Sequence, residues 1–203
     1  MTCLLVLLPL CAGIDQQMYD GIQSGWRGPV MDATMSAATE FGDWYALGGS
    51  AVVFYVSGRP ELRSTAAVAA CSWAGAMATL VGVRAVVKRP RPNEPDRGWL
   101  YSAFPSGHAT GYFAMATVYA VKFPKLAPTL GVLGAAVALS RVYLGYHWPS
   151  DVLAGAALGT GVGLLAAHFE EPIGRLLRLD DSCVGVLQPS AGADGISIVT
   201  VRF

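Results

Sequence analysis

The sequence SRVYLGYHWPSD, at positions 140–151, joins two apolar segments of the chain, at residues 126–144 and 152–168. Two more polar stretches, RAVVKRPRP at 84–92 and PSGH at 105–108, also stand at the ends of apolar segments. Two of the three histidines lie in these stretches, close in sequence to arginines. The three stretches therefore decide both where the helices turn and where the polar chemistry is concentrated.

The composition is typical of a membrane protein. Of 203 residues, 53% are hydrophobic and 14% are charged, whereas about 25% are charged in a soluble domain. The formal net charge is +0, and nothing in this balance indicates a nucleic-acid partner. The four cysteines, Cys3, Cys11, Cys71 and Cys183, are scattered without metal-ligand spacing. We therefore expect neither a disulfide nor a bound metal.

The hydropathy pattern predicts an all-α membrane bundle with five to six transmembrane helices. Five apolar segments lie at 44–57, 64–87, 109–121, 126–144 and 152–168. The apolar run at 1–13 has about half the length that crosses a bilayer, and 14–43 is typical of a segment at the membrane surface. We divide the chain into an amino-terminal part at 1–43, a transmembrane domain at 44–170 that contains all three polar stretches, and a tail at 171–203.

The last apolar segment carries Gly155, Gly159 and Gly163 at four-residue spacing. Helices in lipid associate through close packing, and small residues allow their backbones to approach. This stripe predicts a packing seam and not a binding site.

Basic residues in the short connections predict the orientation. Arg59 and Arg63, Lys122 and Lys125, and Arg175 and Arg178 each follow an apolar segment, and such clusters favour the cytoplasmic side. Because successive helices alternate in direction, the three polar stretches should then emerge together on the opposite, extracytoplasmic face.

The first two polar stretches have the chemistry of a phosphate site. Arg84, Lys88, Arg89 and Arg91 supply cations, and Arg84 and Lys88 would face one anion if the helix continues that far. Ser106 and Gly107 precede an apolar helix, whose amino-terminal amides favour an anion. Taken alone, the first stretch also fits a basic run on anionic lipid, and the second also fits a capping turn.

The third stretch suggests a nucleophile. His147 and Asp151 are four residues apart, so in a helix the carboxylate would accept the Nδ1 proton and leave Nε2 for attack. Arg141 precedes them as a neutralising cation, and His108 is available as an acid for the leaving oxygen. Taken alone, the pair also fits a surface histidine beside a helix-capping aspartate.

The motifs resemble those of the type 2 phosphatidic acid phosphatase family, which shares its active site with vanadium-dependent haloperoxidases. That family has Lys, six residues, Arg-Pro; then Pro-Ser-Gly-His; then Ser-Arg, five residues, His, three residues, Asp. This chain matches it at Arg91-Pro92, at 105–108 and at Ser140, Arg141, His147 and Asp151. It departs at Arg84, where the family has lysine. The resemblance covers about residues 43–168.

The resemblance implies a haloperoxidase-like helical core and a lipid phosphate phosphatase that needs no metal or other cofactor. His147 would form a phosphohistidine, Asp151 would orient it, and His108 would protonate the leaving oxygen. The residues that would hold the phosphate are Arg84, Lys88, Arg91, Ser106, Gly107 and Arg141.

We expect the substrate to be the phosphate ester or diphosphate of a lipid in the inner membrane, with the site on the extracytoplasmic face. Undecaprenyl diphosphate, phosphatidate and a phosphatidylglycerophosphate-like lipid all fit, and an isoprenoid diphosphate is slightly favoured. The alternatives are a vanadate-dependent haloperoxidase-like enzyme and a non-catalytic protein that binds lipid headgroups. The sequence leaves open the oligomeric state and whether Arg84 or Lys88 replaces the family lysine.

Overall fold

The computed structural model describes residues 2–57, 59–94 and 98–177. These residues form helices joined by turns and contain no strand. The helices are α1 (Thr2–Gly25), α2 (Pro29–Glu40), α3 (Trp44–Val56), α4 (Pro60–Val86), α5 (Gly107–Lys122), α6 (Ala127–Tyr143), α7 (Pro149–His168) and α8 (Glu170–Leu176). The all-α prediction is confirmed for this part of the chain. Most of the predicted tail at 171–203 lies outside the described residues.

Each predicted apolar segment coincides with one helix, from α3 to α7. A proline stands in the first turn of α2, α4, α6 and α7, where its missing N–H group leaves no hydrogen bond unmade. Within the described residues, α4, the stretch Pro124–Tyr143 and α7 are long and apolar enough to span a membrane. The chain is therefore a multi-pass membrane protein, whereas α3 and α5 are shorter, at 13 and 16 residues.

The amino-terminal part differs from the sequence-based expectation. Instead of a short apolar run followed by a separate surface segment, Thr2–Gly25 forms one continuous helix of 24 residues. The apolar pattern ends near Gly13, but the polar half of α1 packs against α6 and α7. Contacts with the rest of the fold thus continue a helix that hydropathy alone would end.

Helix α5 lies at the centre of the bundle, in contact with α3, α4, α6 and α7. Its buried side chains alternate small residues with a few large ones, so several helices can approach it at once. These buried residues are Ala109, Thr110, Gly111, Tyr112, Ala114, Met115, Ala116, Val118 and Tyr119.

The glycine stripe of α7 is the seam that packs on α5. A Cβ atom on Gly155 would lie 2.7 Å from the carbonyl oxygen of Ser106, and one on Gly163 would lie 2.7 Å from that of Ala114. A Cβ atom on Gly159 would meet the carbonyl oxygen of Thr110. The two backbones are in direct contact, as the sequence predicted. This contact fixes the position of α7 along the axis of α5.

Replacing Gly159 by Ala should destabilise the protein by about 1–3 kcal/mol, the usual cost of forcing an extra carbon into a packed interface. Gly161→Ala is the matched control, because a Cβ atom there has nothing within 4 Å. Thermal unfolding in detergent measures both. A midpoint for Gly159→Ala equal to that of Gly161→Ala would contradict the seam.

The end of the bundle opposite the three polar stretches is held together by ionic contacts. Lys122 Nζ lies 2.9 Å and 3.2 Å from the two carboxylate oxygens of Glu170. Ser64 Oγ donates to the same carboxylate at 3.3 Å. The start of α4, the end of α5 and the start of α8 therefore meet at the end where the sequence places the basic residues.

Candidate active site

The three polar stretches meet at one end of the bundle and are joined through their backbones. The N–H of Ser106 donates to the carbonyl of Asp151 at 3.0 Å. The N–H of Ala103 donates to the carbonyl of Arg89 at 2.8 Å. The convergence expected from helix alternation is therefore present in the fold.

His147 is 1% exposed and lies in the loop before α7. Its Nδ1 atom is 2.7 Å from the carbonyl oxygen of Ala103 and 3.8 Å from Oδ2 of Asp151. The predicted hydrogen bond from Nδ1 to Asp151 is replaced by one to Ala103, because α7 begins only at Pro149 and residue 147 is not helical. Since a carbonyl only accepts, Nδ1 carries the proton and Nε2 keeps its lone pair.

Asp151 is completely buried, and its carboxylate does more than cap a helix. Oδ2 accepts from the N–H of Trp148 at 2.8 Å, which caps α7. Oδ1 accepts from Nη1 of Arg89 at 2.7 Å. Sequence reasoning did not include Arg89 among the site residues. The sequence feature that pointed to Arg89 was its place in the arginine-proline run. That feature does not predict that Arg89 contacts a carboxylate.

His108 lies in the first turn of α5 and is paired with a residue that the motifs do not contain. Its Nε2 atom is 3.0 Å from Oδ1 of Asp43, the residue directly before α3. Gly42 also packs against His108: a Cβ atom added to Gly42 would lie 3.2 Å from Cβ of His108. Asp43 is remote in sequence and belongs to no motif, so sequence reasoning missed it.

Two arginines of the predicted phosphate site, Arg84 and Arg141, donate hydrogen bonds to neutral acceptors. Arg84 donates to the carbonyls of Leu100 and Pro105 at 3.1 Å and 3.0 Å. Arg141 donates to Oγ1 of Thr39 at 2.6 Å, and its guanidinium lies 4.4 Å from the centroid of the Tyr146 ring.

Arg91 is half-buried, and its Nε donates to the carbonyl of Tyr101 at 2.9 Å. Neutral acceptors aim a guanidinium without neutralising its charge, so Arg84 and Arg141 keep their attraction for an anion.

Three buried polar atoms of the site have no hydrogen-bond partner among the described residues. They are Nε of Arg84, Nε of Arg141 and Oγ of Ser106. A buried donor left unsatisfied costs about 1–3 kcal/mol, so such groups usually mark a missing partner. All three belong to residues predicted to bind phosphate, and an oxyanion is the partner that would satisfy them.

Lys88 does not join this group. Helix α4 ends at Val86, so the helical register that would align Lys88 with Arg84 does not continue that far. The Lys88 side chain is exposed, whereas Arg84 contacts the PSGH loop. Of the two cations that the sequence left open, the fold places Arg84 in the site.

Burial and neighbouring charge both act on the two histidines. Burial lowers the pKa of His147 below its ordinary value of 6.5. Burial also lowers the pKa of His108 to about 3, and the charges of Arg141, His147, Arg91 and Arg84 act in the same direction. Both imidazoles are therefore neutral near pH 7, and the pocket has its positive charge on the guanidinium groups.

Together, the fold and the site define a helical membrane protein in which two neutral imidazoles and several arginines meet at one end of the bundle. The chain belongs to the PAP2 superfamily, whose sequence model matches residues 64–175. The family resemblance drawn from the motifs is confirmed.

Two curated relatives and one solved structure illustrate the similarity. The chain is 36% identical over 103 residues to the lipid A 1-phosphatase of Porphyromonas gingivalis, covering 46% of this chain but 23% of that protein. It is 33% identical over 146 residues to the decaprenylphosphoryl-5-phosphoribose phosphatase of Mycobacterium tuberculosis, covering 68% of this chain and 79% of that protein. The transmembrane PAP2-type phosphatidylglycerolphosphate phosphatase of Bacillus subtilis has the same fold, with a TM-score of 0.62, 21% identity, and coverage of 82% and 89%.

Proposed function

We propose that the protein is a membrane phosphatase that hydrolyses the phosphate ester or diphosphate of a lipid through a phosphohistidine intermediate. The observation that carries this proposal is the set of unsatisfied buried donors, on Arg84, Arg141 and Ser106, beside a buried neutral His147. A headgroup-binding protein needs the cations, but it does not need a buried imidazole whose Nδ1 is fixed and whose Nε2 keeps its lone pair.

In the proposed reaction, Nε2 of His147 attacks phosphorus and the bond from phosphorus to the leaving oxygen breaks. His108 gives its proton to that oxygen, and the lipid alcohol or lipid phosphate departs. Water then attacks the phosphohistidine, His108 takes up a proton, and inorganic phosphate is released. The guanidinium groups stabilise the negative charge on the phosphoryl oxygens throughout.

His108 must be protonated for the first step, although burial and the neighbouring cations lower its pKa. A bound phosphate brings negative charge that offsets those cations, so binding raises the pKa of His108. Asp43, at 3.0 Å from Nε2, is placed to hold the resulting imidazolium.

An apolar cavity of about 200 Å³ beside the site supports a lipid substrate. It lies between α3, α5 and α6, where Leu47, Phe54, Met115 and Leu130 contribute to its wall. Phe41, at its edge, directly precedes Gly42, which faces His108. A phosphate held by the arginines would therefore have an apolar wall within reach of its tail.

Among lipid phosphates we favour one with a polyprenyl tail. The M. tuberculosis relative, whose alignment covers 68% of this chain, is named for a decaprenyl substrate. We place the protein in the inner membrane with the site on the extracytoplasmic face, because the basic residues that favour the cytoplasm belong to the opposite end of the bundle.

Phosphate release by the full chain in detergent tests the proposal. The panel contains undecaprenyl diphosphate, phosphatidate and phosphatidylglycerophosphate, each with and without EDTA, and glycerol phosphate as the tail-free control. We expect release from at least one lipid, unaffected by EDTA and inhibited by vanadate. No release from any lipid, or loss of activity with EDTA, would overturn the proposed reaction. Halogenation with vanadate, peroxide and bromide would support the haloperoxidase alternative.

The pH profile should reflect the lowered pKa of His147. This residue attacks only as the neutral imidazole, so kcat/KM falls as the pH drops through its pKa, and the midpoint of that acid limb should lie below 6.5. Rates from pH 4 to 9 measure it, with the phosphate titration of the free substrate, near pH 6, followed separately by phosphorus NMR. A corrected midpoint at or above 6.5 would contradict the proposed environment of the nucleophile.

A further inference from the structure

The polar half of α1 lies across the loops that carry the site. Asp15, Tyr19 and Gln23 are spaced by four residues, so they share one face of the helix. Tyr19 donates to Asn93 at 3.0 Å and Gln23 donates to the carbonyl of Tyr143 at 2.9 Å. Asn93 directly follows the first polar stretch, and Tyr143 lies within the third. Helix α1 is therefore part of the support of the site.

Asp15 has the most buried side chain of this face. It is 3% exposed, and its Oδ2 accepts from Nη2 of Arg89 at 2.6 Å and from Oγ of Ser150 at 2.5 Å. Its Oδ1 accepts from the N–H of Ser150 at 2.9 Å. Asp15 thus holds both Arg89 and the first turn of α7.

Arg89 joins two buried carboxylates. Nη2 contacts Asp15 and Nη1 contacts Oδ1 of Asp151 at 2.7 Å, and Nη1 also donates to Oγ of Ser150 at 2.7 Å. One guanidinium cannot neutralise two carboxylates, so the cluster carries one net negative charge beside His147. A negative charge in this place favours the positive imidazole that exists while the phosphoryl group is on Nε2.

We propose that Asp15 and Arg89 are positioning residues for catalysis: Asp15 holds Arg89, and Arg89 fixes the carboxylate of Asp151 next to the nucleophilic His147. This inference rests on the proposed function. It assigns Arg89 to the carboxylates and not to the phosphate, although Arg89 stands in the basic stretch with Arg84 and Arg91.

Other charged and titratable groups also act on His147, and the test must separate Asp15 from them. They are Asp151 on α7, Arg141 on α6, His108 on α5 and Arg91 in the loop after α4. Substitution of Asp15 leaves all of them in place, so any change in the titration of His147 arises through α1 and Arg89.

The variant is Asp15→Asn, which keeps the shape and a hydrogen-bond acceptor but removes the charge. We expect the pKa of His147 to fall by about one unit, the acid limb of kcat/KM to move with it, and kcat to fall about tenfold. KM should stay within about twofold, because the phosphate-binding arginines are unchanged. In the Arg89→Gln background, Asp15→Asn should cause little further loss of kcat, since Asp15 positions Asp151 only through Arg89.

Gln23→Ala is the matched control. It removes the hydrogen bonds of α1 to the carbonyls of Val142 and Tyr143 but changes no charge. A purely structural role of α1 would make Gln23→Ala and Asp15→Asn lose thermal stability together, with the acid limb unmoved in both. That result would overturn the inference.

Nitrogen NMR of histidine-labelled protein provides a readout that does not depend on activity. The chain has three histidines, so each signal can be assigned by substitution. An unchanged titration of His147 in Asp15→Asn would refute the inference even if the wild type hydrolyses lipid phosphates. A wild type without activity would refute the proposed function, and the NMR titration would still decide whether Asp15 acts on His147.

Discussion

Replacing His147 by Asn should lower phosphate release from the preferred lipid by about 10⁴-fold or more, the size of effect seen when a covalent nucleophile is removed. Asparagine is the informative substitution, because its side-chain amide can still donate to the carbonyl of Ala103 as Nδ1 does. The fold should therefore persist while the attacking nitrogen is lost. Initial rates of phosphate release, together with the thermal unfolding midpoint, measure both effects.

His168→Asn is the matched control for this prediction. His168 ends α7, at the opposite end of the helix from Asp151. The centroids of the His168 and Phe169 rings lie 4.9 Å apart. We expect nearly wild-type rates. If His147→Asn kept more than a tenth of the activity, the imidazole would not be the nucleophile, and the phosphohistidine intermediate would be wrong.

Replacing His108 by Asn should produce a large effect that depends on the leaving group. General acid catalysis contributes about 10²- to 10⁴-fold, so hydrolysis of a lipid alcohol phosphate should fall by that factor. The burst of nitrophenolate from p-nitrophenyl phosphate, which reports the first step alone, should slow much less, because nitrophenolate leaves without a proton. The ratio of the two rates, measured on the same preparation, reports the role of His108 independently of the amount of folded protein.

The same variant should also accumulate the phosphorylated enzyme, because His108 is the proposed base for the second step. Rapid acid quench after mixing with radiolabelled p-nitrophenyl phosphate would detect it. Equal losses on both substrates, with no phosphoenzyme, would remove His108 from proton transfer and leave it as a binding residue only.

Much of this site could be predicted from the sequence because its signals are local. Hydropathy over about 20 residues predicts helices such as α4 and α7, and alternation of helix direction brings their polar ends to one face. The spacing of residues 105–108 and 140–151 identified both histidines and the family. The packing role of the glycine stripe of α7 could also be predicted, since close packing in lipid requires small residues at helical spacing.

Other parts of the site depend on the tertiary structure. The four-residue spacing of His147 and Asp151 predicted a helical hydrogen bond, but α7 begins after His147, and Nδ1 contacts Ala103 instead. Lys88 stands at helical spacing from Arg84, yet α4 ends before it. In both cases a spacing rule was applied beyond the end of a helix.

What the sequence by itself determined is the all-helical class, the meeting of three polar stretches and the family. The tertiary structure alone decided the pairs between distant parts of the chain, Asp43 with His108 and Asp15 with Arg89. The physical reason is that helical periodicity relates residues a few positions apart, whereas these pairs depend on how whole helices pack. No local pattern encodes that a carboxylate on α1 will lie beside a guanidinium that holds Asp151.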